Sequence, residues 1–120
     1  VDPHGVWYTM AFKIGILGLG SFGRRFIELF QAHPLCDEVV LCELREDVLA
    51  EQAEQHRVRR TTTYYDEMLS WDIDAVAVFT QRWLHAPQAI KALRHGKHAN
   101  GGPLRTPLHL RHQSRAAVHR

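Results

Sequence analysis

The stretch that decides the fold is Phe12-Lys13-Ile14-Gly15-Ile16-Leu17-Gly18-Leu19-Gly20-Ser21-Phe22-Gly23. Residues 12–17 form a short apolar run bounded by glycine, the pattern of a buried strand. Residues 18–23 fit G-x-G-x-x-G, and Ser21 to His33 then place Phe22, Phe26, Leu29 and Phe30 at helical spacing. Strand, tight turn and amphipathic helix is the setting in which this glycine pattern gains a physical meaning. Gly18 permits the turn, Gly20 lets the backbone come close to a pyrophosphate, and Gly23 lets the helix pack near the strand. The backbone N–H groups of the first helical turn, at Ser21 and Phe22, lack intrahelical partners and can donate to an anion. A purely structural strand-to-helix turn is the competing account of the same glycines.

Working outward, Val39-Val40-Leu41-Cys42 is a near-continuous apolar run, as a strand buried on both faces requires. Glu43 follows it directly, 20 residues after Gly23. There a carboxylate can accept hydrogen bonds from the adenosine ribose hydroxyls of a dinucleotide, unless it is simply a solvated residue at a strand end. Such a carboxylate favours NAD over NADP by repelling a 2′-phosphate, whereas Arg45, two residues on, could swing over that phosphate. Arg24 and Arg25 sit where the helix dipole disfavours cations unless something negative binds nearby; the alternative is that both reach into solvent.

Glu46 to His56 reads as a helix, Thr61-Thr62-Thr63-Tyr64 as a short β-branched strand and Asp66 to Trp71 as a brief helix. Asp74 to Thr80 is a strong buried strand. Leu84 to His95 is a helix with Ala86, Ala89, Ile90 and Leu93 on one side, and Gly96 ends it. This βαβαβαβα alternation predicts an α/β fold, a doubly wound parallel sheet with right-handed crossovers. A fifth strand should begin near Lys97, but Asn100-Gly101-Gly102-Pro103 and an Arg/His/Pro-rich segment follow, so the pattern stops mid-element. The sheet is therefore expected to be truncated before its later strands. Without a fifth strand, 74–80 would be an unpaired edge prone to self-association.

Composition narrows the function classes. A chain of 120 residues suits one core, and an apolar fraction of 45% with 23% charged residues is that of an ordinary globular protein. The net charge of +2 comes from the tail, since residues 99–120 hold four Arg and no acid, while residues 10–98 hold 11 bases and 12 acids. That distribution argues against nucleic acid as a partner. No apolar run approaches the roughly 20 residues of a membrane span, and the start lacks a signal-peptide pattern, so the expected location is cytoplasmic. Cys36 and Cys42 have no metal or redox spacing and read as reduced packing residues, and the nine histidines are scattered, so no metal site is assigned. Residues 1–9 read as an extension before a natural start at Met10, and residues 99–120 as a poorly ordered tail.

Phe79-Thr80-Gln81-Arg82-Trp83-Leu84-His85-Ala86-Pro87 and Ala92-Leu93-Arg94-His95-Gly96-Lys97-His98 complete a second pattern. With them, residues 10–98 resemble the Rossmann domain of the Gfo/Idh/MocA family of NAD(P)-dependent oxidoreductases. In that family the fourth strand runs into T-P-x-x-x-H, and the next helix ends in A-L-x-x-G-K-H-V before a strand leading to E-K-P. This chain keeps Thr80 and His85 but has Gln81 in place of proline. The resemblance implies NAD, or NADP, as cofactor. It also implies that Thr80 lies beside the nicotinamide-side ribose and His85 near the active-site mouth. A residue satisfying local backbone groups is the alternative for His85, and Trp83 reads as a packing or interface aromatic.

Full-length relatives transfer hydride between nicotinamide and a sugar or polyol hydroxyl carbon, with a C-terminal α+β domain that this chain is expected to lack. The family's Glu-Lys-Pro would fall at Gly102, Pro103 and Leu104, so no catalytic residue is assigned and the chain is expected to be inactive alone. Residues 99–120 resemble an out-of-frame translation of a GC-rich gene, with a genuine divergent C-terminus as the competing account. A non-catalytic nucleotide-binding or interaction module is the alternative function.

Overall fold

In the computed structural model, which describes residues 11–100, strand β1 (Phe12–Leu17) lies at the centre of the sheet. Its parallel neighbours are β2 (Cys36–Cys42) and β4 (Ala75–Val78); β3 (Thr61–Thr62) and β5 (His98–Ala99) lie outside them, giving the order β3-β2-β1-β4-β5. The helices are α1 (Arg25–Gln31), α2 (Glu46–His56), α3 (Tyr65–Leu69) and α4 (Arg82–Arg94). This is the doubly wound parallel sheet expected from the alternation of elements. The expectations for residues 1–9 and for most of the tail lie outside the described residues.

The central strands are apolar along their length because both faces are buried. Ile14, Ile16, Val39, Leu41 and Ala77 pack with Ile27 of α1 and Leu49 of α2, while Leu17, Val40, Cys42, Val76 and Val78 pack with Met68 and Leu69 of α3 and Ala92 of α4. Gly15 leaves room on the second face for the Met68 side chain; a Cβ there would lie 2.6 Å from the Met68 sulfur. At the opposite end from the glycine turn, Arg60 spans Glu38 (2.6 Å) and Asp72 (2.9 Å), and Lys13 Nζ reaches Asp72 at 2.7 Å.

The structure corrects several sequence expectations. The first helix does not begin at Ser21: the N–H groups of Arg25, Phe26 and Ile27 bond three residues back, to Phe22, Gly23 and Arg24, so residues 21–24 form a tight turn ahead of α1. Its buried residue is Ile27, whereas Phe22 and Leu29, assigned to the apolar face, are both 61% exposed. The third strand stops at Thr62 because the Thr62 hydroxyl accepts the Tyr64 N–H at 3.0 Å and turns the chain. The next helix is Tyr65–Leu69 rather than 66–71.

The fourth strand is not an unpaired edge. His98 and Ala99 pair with Ala75 and Val76, and the Asn100 side chain accepts the Val78 N–H at 2.6 Å. Two residues and an amide side chain suffice to take up the exposed donors, which removes the basis given for self-association.

At Gly23 a Cβ would lie 2.3 Å from the Gly18 carbonyl oxygen, a backbone atom with no freedom to retreat. Gly23→Ala should therefore cost about 1–3 kcal/mol or more, whereas Gly15→Ala, opposed by a flexible methionine, should cost less than about 1 kcal/mol. Thermal unfolding of the two variants should show the larger drop for Gly23→Ala. The reverse order would refute the close-packing role of Gly23.

Candidate functional site

In this strand order the chain leaves β3 at one side of the sheet and re-enters beyond β1 at β4, so connections diverge at the carboxyl ends of β1 and β4. Ligands of open α/β sheets bind at such a point. Gly18 ends β1 with a φ of +96°, and a Cβ on it would lie 2.9 Å from the Phe79 carbonyl carbon and 3.0 Å from the Thr80 nitrogen. Only glycine lets the first turn residue pass that close to the end of β4 in that conformation. Phe79 in turn stacks on Phe26 (4.7 Å between ring centroids) and meets Phe22 edge-on (5.6 Å).

Gly20 differs from its two partners. A Cβ there would meet nothing within 4 Å. The fold does not require glycine at this position, and the space beside it is open. Among the described residues the N–H groups of Gly20, Ser21, Phe22 and Gly23 make no hydrogen bond. A bare backbone surface carrying a row of unspent donors fits a pyrophosphate. Arg24, one of two arginines whose role the sequence left open, folds back so that its guanidinium donates to the carbonyls of Leu19 (3.1 Å) and Gly20 (3.4 Å). Arg25 is exposed.

Glu43 lies across the turn and is only 7% exposed. Its Oε1 accepts the Leu19 N–H at 2.7 Å, and its Oε2 accepts the Arg45 N–H at 3.0 Å and Arg45 Nε at 3.1 Å. The reading of Glu43 as a simply solvated residue therefore fails. Burial works against its charge, but the Arg45 guanidinium and the two backbone donors outweigh that and hold its pKa below the usual carboxylate range. Arg45 itself is largely exposed.

A cleft of about 140 Å³ joins Gly18 and Glu43 to Thr80, with Cys42, Leu44, Thr63, Tyr65, Leu84 and Gln88 completing its wall. The Thr80 hydroxyl bonds the Gln88 side chain, and the Tyr65 hydroxyl donates to the Gln88 carbonyl at 2.7 Å. His85 Nε2 pairs with the Thr80 carbonyl, so His85 satisfies a local backbone group at the start of α4 while lying next to the cleft. Trp83 is 72% exposed. Burial raises the Tyr65 pKa and pushes that of Cys42 up to about 12, so both remain protonated packing groups. The structure thus gathers Gly18, Gly20, Ser21, Phe22, Gly23, Glu43, Arg45 and Thr80 around one end of the sheet. Tyr65 and Gln88 were not singled out from sequence; no motif marks them, and only the packing of α3 and α4 brings them together.

Residues 12–99 match the family model of the Gfo/Idh/MocA oxidoreductases, described as an oxidoreductase family with an NAD-binding Rossmann fold. The chain belongs to this family. Like the family, this Gfo/Idh/MocA domain is an NAD-binding unit. It is 32% identical over 101 residues to a glycosyl hydrolase family 109 protein of Porphyromonas gingivalis, covering 72% of this chain and 21% of that protein. It is similar to the scyllo-inositol dehydrogenase of Lactobacillus casei solved with NAD(H) and scyllo-inositol (TM-score 0.69, 26% identity, covering 74% of this chain and 27% of that one). It is also similar to a 3-ketoreductase of Actinomadura kijaniata solved with TDP-benzene and NADP (TM-score 0.68, 27% identity, 89% of this chain and 34% of that one). The chain thus spans about a fifth to a third of the length of these relatives. Among the described residues no helix is long and apolar enough to cross a membrane.

The Glu43 contacts have a pH signature. Its folded pKa lies below the ordinary value of 4.5, so they stabilise the fold above about pH 4.5 and are lost as pH falls through the folded value. Urea midpoints followed from about pH 6 to pH 3 should fall more steeply in wild type than in Glu43→Gln. Parallel curves would mean that the carboxylate contributes nothing to stability.

Proposed function

We propose that this chain is the cofactor-holding unit of an oxidoreductase that transfers hydride between a nicotinamide dinucleotide and a hydroxyl-bearing carbon of a sugar or polyol. The pyrophosphate lies over the Gly18–Gly23 turn, the adenosine ribose faces Glu43 and Arg45, and the nicotinamide-side ribose lies beside Thr80. The observation that carries this reading is Gly20: its flank is empty, the N–H groups from Gly20 to Gly23 are unspent, and nothing in the packing needs a glycine there. When bound, the nicotinamide ring supplies the hydride acceptor or donor. The polyol substrate is suggested by the scyllo-inositol bound to one relative, and the hydroxyl-carbon chemistry by the 3-ketoreductase activity named for another.

The chain's own residues bind and orient. Glu43 and Arg24 hold the two peptide groups that flank the Leu19 Cα, one by the Leu19 N–H and the other by the Leu19 C=O, so the turn is preorganised before ligand arrives. His85, held by the Thr80 carbonyl, fixes the segment entering α4 at the cleft's rim. Gly102, Pro103 and Leu104 stand where the resemblance places Glu-Lys-Pro, so we propose that the 120-residue chain binds cofactor without turning over substrate; these three positions lie outside the described residues.

Gly20→Val tests the reading directly. Because a Cβ at Gly20 meets open space, the variant should keep its far-UV dichroism and thermal midpoint. Calorimetric affinity for NAD+ should fall at least about tenfold as the side chain blocks the backbone's approach to the pyrophosphate. Unchanged affinity in a folded Gly20→Val variant would overturn the placement of the dinucleotide.

A further inference from the structure

A threonine hydroxyl has one proton to give and two lone pairs to offer. Thr80 donates its proton to the side-chain oxygen of Gln88, so toward the cleft it can act only as an acceptor. Thr80 is held at two further points: its carbonyl pairs with His85 Nε2, and Gly18 passes close to its peptide nitrogen. His85 and Gln88 are three residues apart on α4 and share one face of that helix, and Leu84 and Gln88, four apart, both line the cleft.

Gln88 is itself anchored from another element. The Tyr65 hydroxyl, at the start of α3, donates to the Gln88 carbonyl at 2.7 Å. Burial keeps that hydroxyl protonated and therefore a donor. The Gln88 side chain is half-buried, and among the described residues its one hydrogen bond is to Thr80. Neither helix formation nor the packing of α4 calls for an amide at this position.

We propose that Gln88 is a positioning residue: with Tyr65 holding it in place, it fixes the hydrogen-bonding polarity of Thr80, so that Thr80 accepts from a hydroxyl of the nicotinamide-side ribose. This rests on the dinucleotide reading of the site and goes beyond it. A hydroxyl left to rotate would have to be ordered when ligand binds; with its proton committed to Gln88, it meets the ribose already oriented. Because Gln88 acts through Thr80, its effect is confined to ligands that carry the second ribose.

Calorimetric titrations of the 120-residue chain with NAD+ and with ADP, which lacks the nicotinamide-side ribose, separate this role from a general effect on the fold. Gln88→Leu should weaken NAD+ about fivefold and leave ADP within about twofold of wild type. Gln88→Glu restores an acceptor for the Thr80 proton, so its ratio of NAD+ to ADP affinity should return to the wild-type value, a rescue that lost packing would not show. Thr80→Val should weaken NAD+ by the same factor as Gln88→Leu, and the two combined should weaken it no further. Far-UV dichroism checks that each variant is folded. If a folded Gln88→Leu variant weakens both ligands equally or neither, or if Gln88→Glu behaves like Gln88→Leu, the positioning role is refuted while the dinucleotide site stands. Should Gln88→Leu fail to fold, Gln88→Glu and Thr80→Val decide: the first must keep the wild-type ratio and the second must lose NAD+ but not ADP, or the role is refuted. If wild type binds neither ligand, the dinucleotide reading fails and takes the role of Gln88 with it.

Discussion

Gly23 rests against the carbonyl oxygen of Gly18, and the 2.3 Å that would separate a Cβ from that oxygen leaves no room for any side chain. This backbone-on-backbone contact pulls the first turn inward between β1 and β4. Because Gly18 is in turn pressed against the Phe79–Thr80 peptide, the end of β4 and the end of β1 are locked to one turn. The N–H groups from Gly20 to Gly23 are left without a hydrogen-bond partner among the described residues. A larger residue at either position would push the turn off the sheet.

Around that contact the polar groups are arranged to hold one residue by both of its flanking peptides. Leu19 is buried, with its N–H on Glu43 and its C=O under Arg24. A buried carboxylate is costly unless its lone pairs are filled, and Glu43 fills them with two backbone donors and one exposed guanidinium. Of these donors only the Arg45 guanidinium sits on an exposed side chain.

The sheet's two faces are built unequally. On one, α3 and α4 cover β1, β2 and β4, and Gly15 admits Met68 to bring α3 close. On the other, Ile27 and Leu49 cover the middle, while Phe22, Phe26, Phe30 and Phe79 line a groove of about 520 Å³ over Ala75, Ala77 and β5. The aromatic side chains of α1 thus face along the sheet toward β4 rather than straight down onto β1. That is the reason a simple helical-period reading placed Leu29 on the buried side and overlooked Ile27.

The strands β1, β2 and β4 and the glycine turn were legible in the sequence because each depends on local chemistry: two-faced burial writes an apolar run, and close backbone approach admits only glycine. Helix type and order followed from periodicity in the same way, and the family resemblance reached the same fold from Thr80, His85 and the segment ending at His98. What the sequence could not determine were relations between distant segments. The late start of α1 depends on three-residue hydrogen bonds within the turn, and the pairing of β4 depends on whether His98 and Ala99 come alongside it. The saturation of Glu43 depends on Leu19, 24 positions earlier, meeting Arg45 at one carboxylate. A carboxylate's neighbours are set by how β1 and β2 lie in register, Leu17 beside Cys42, and only the assembled sheet fixes that geometry.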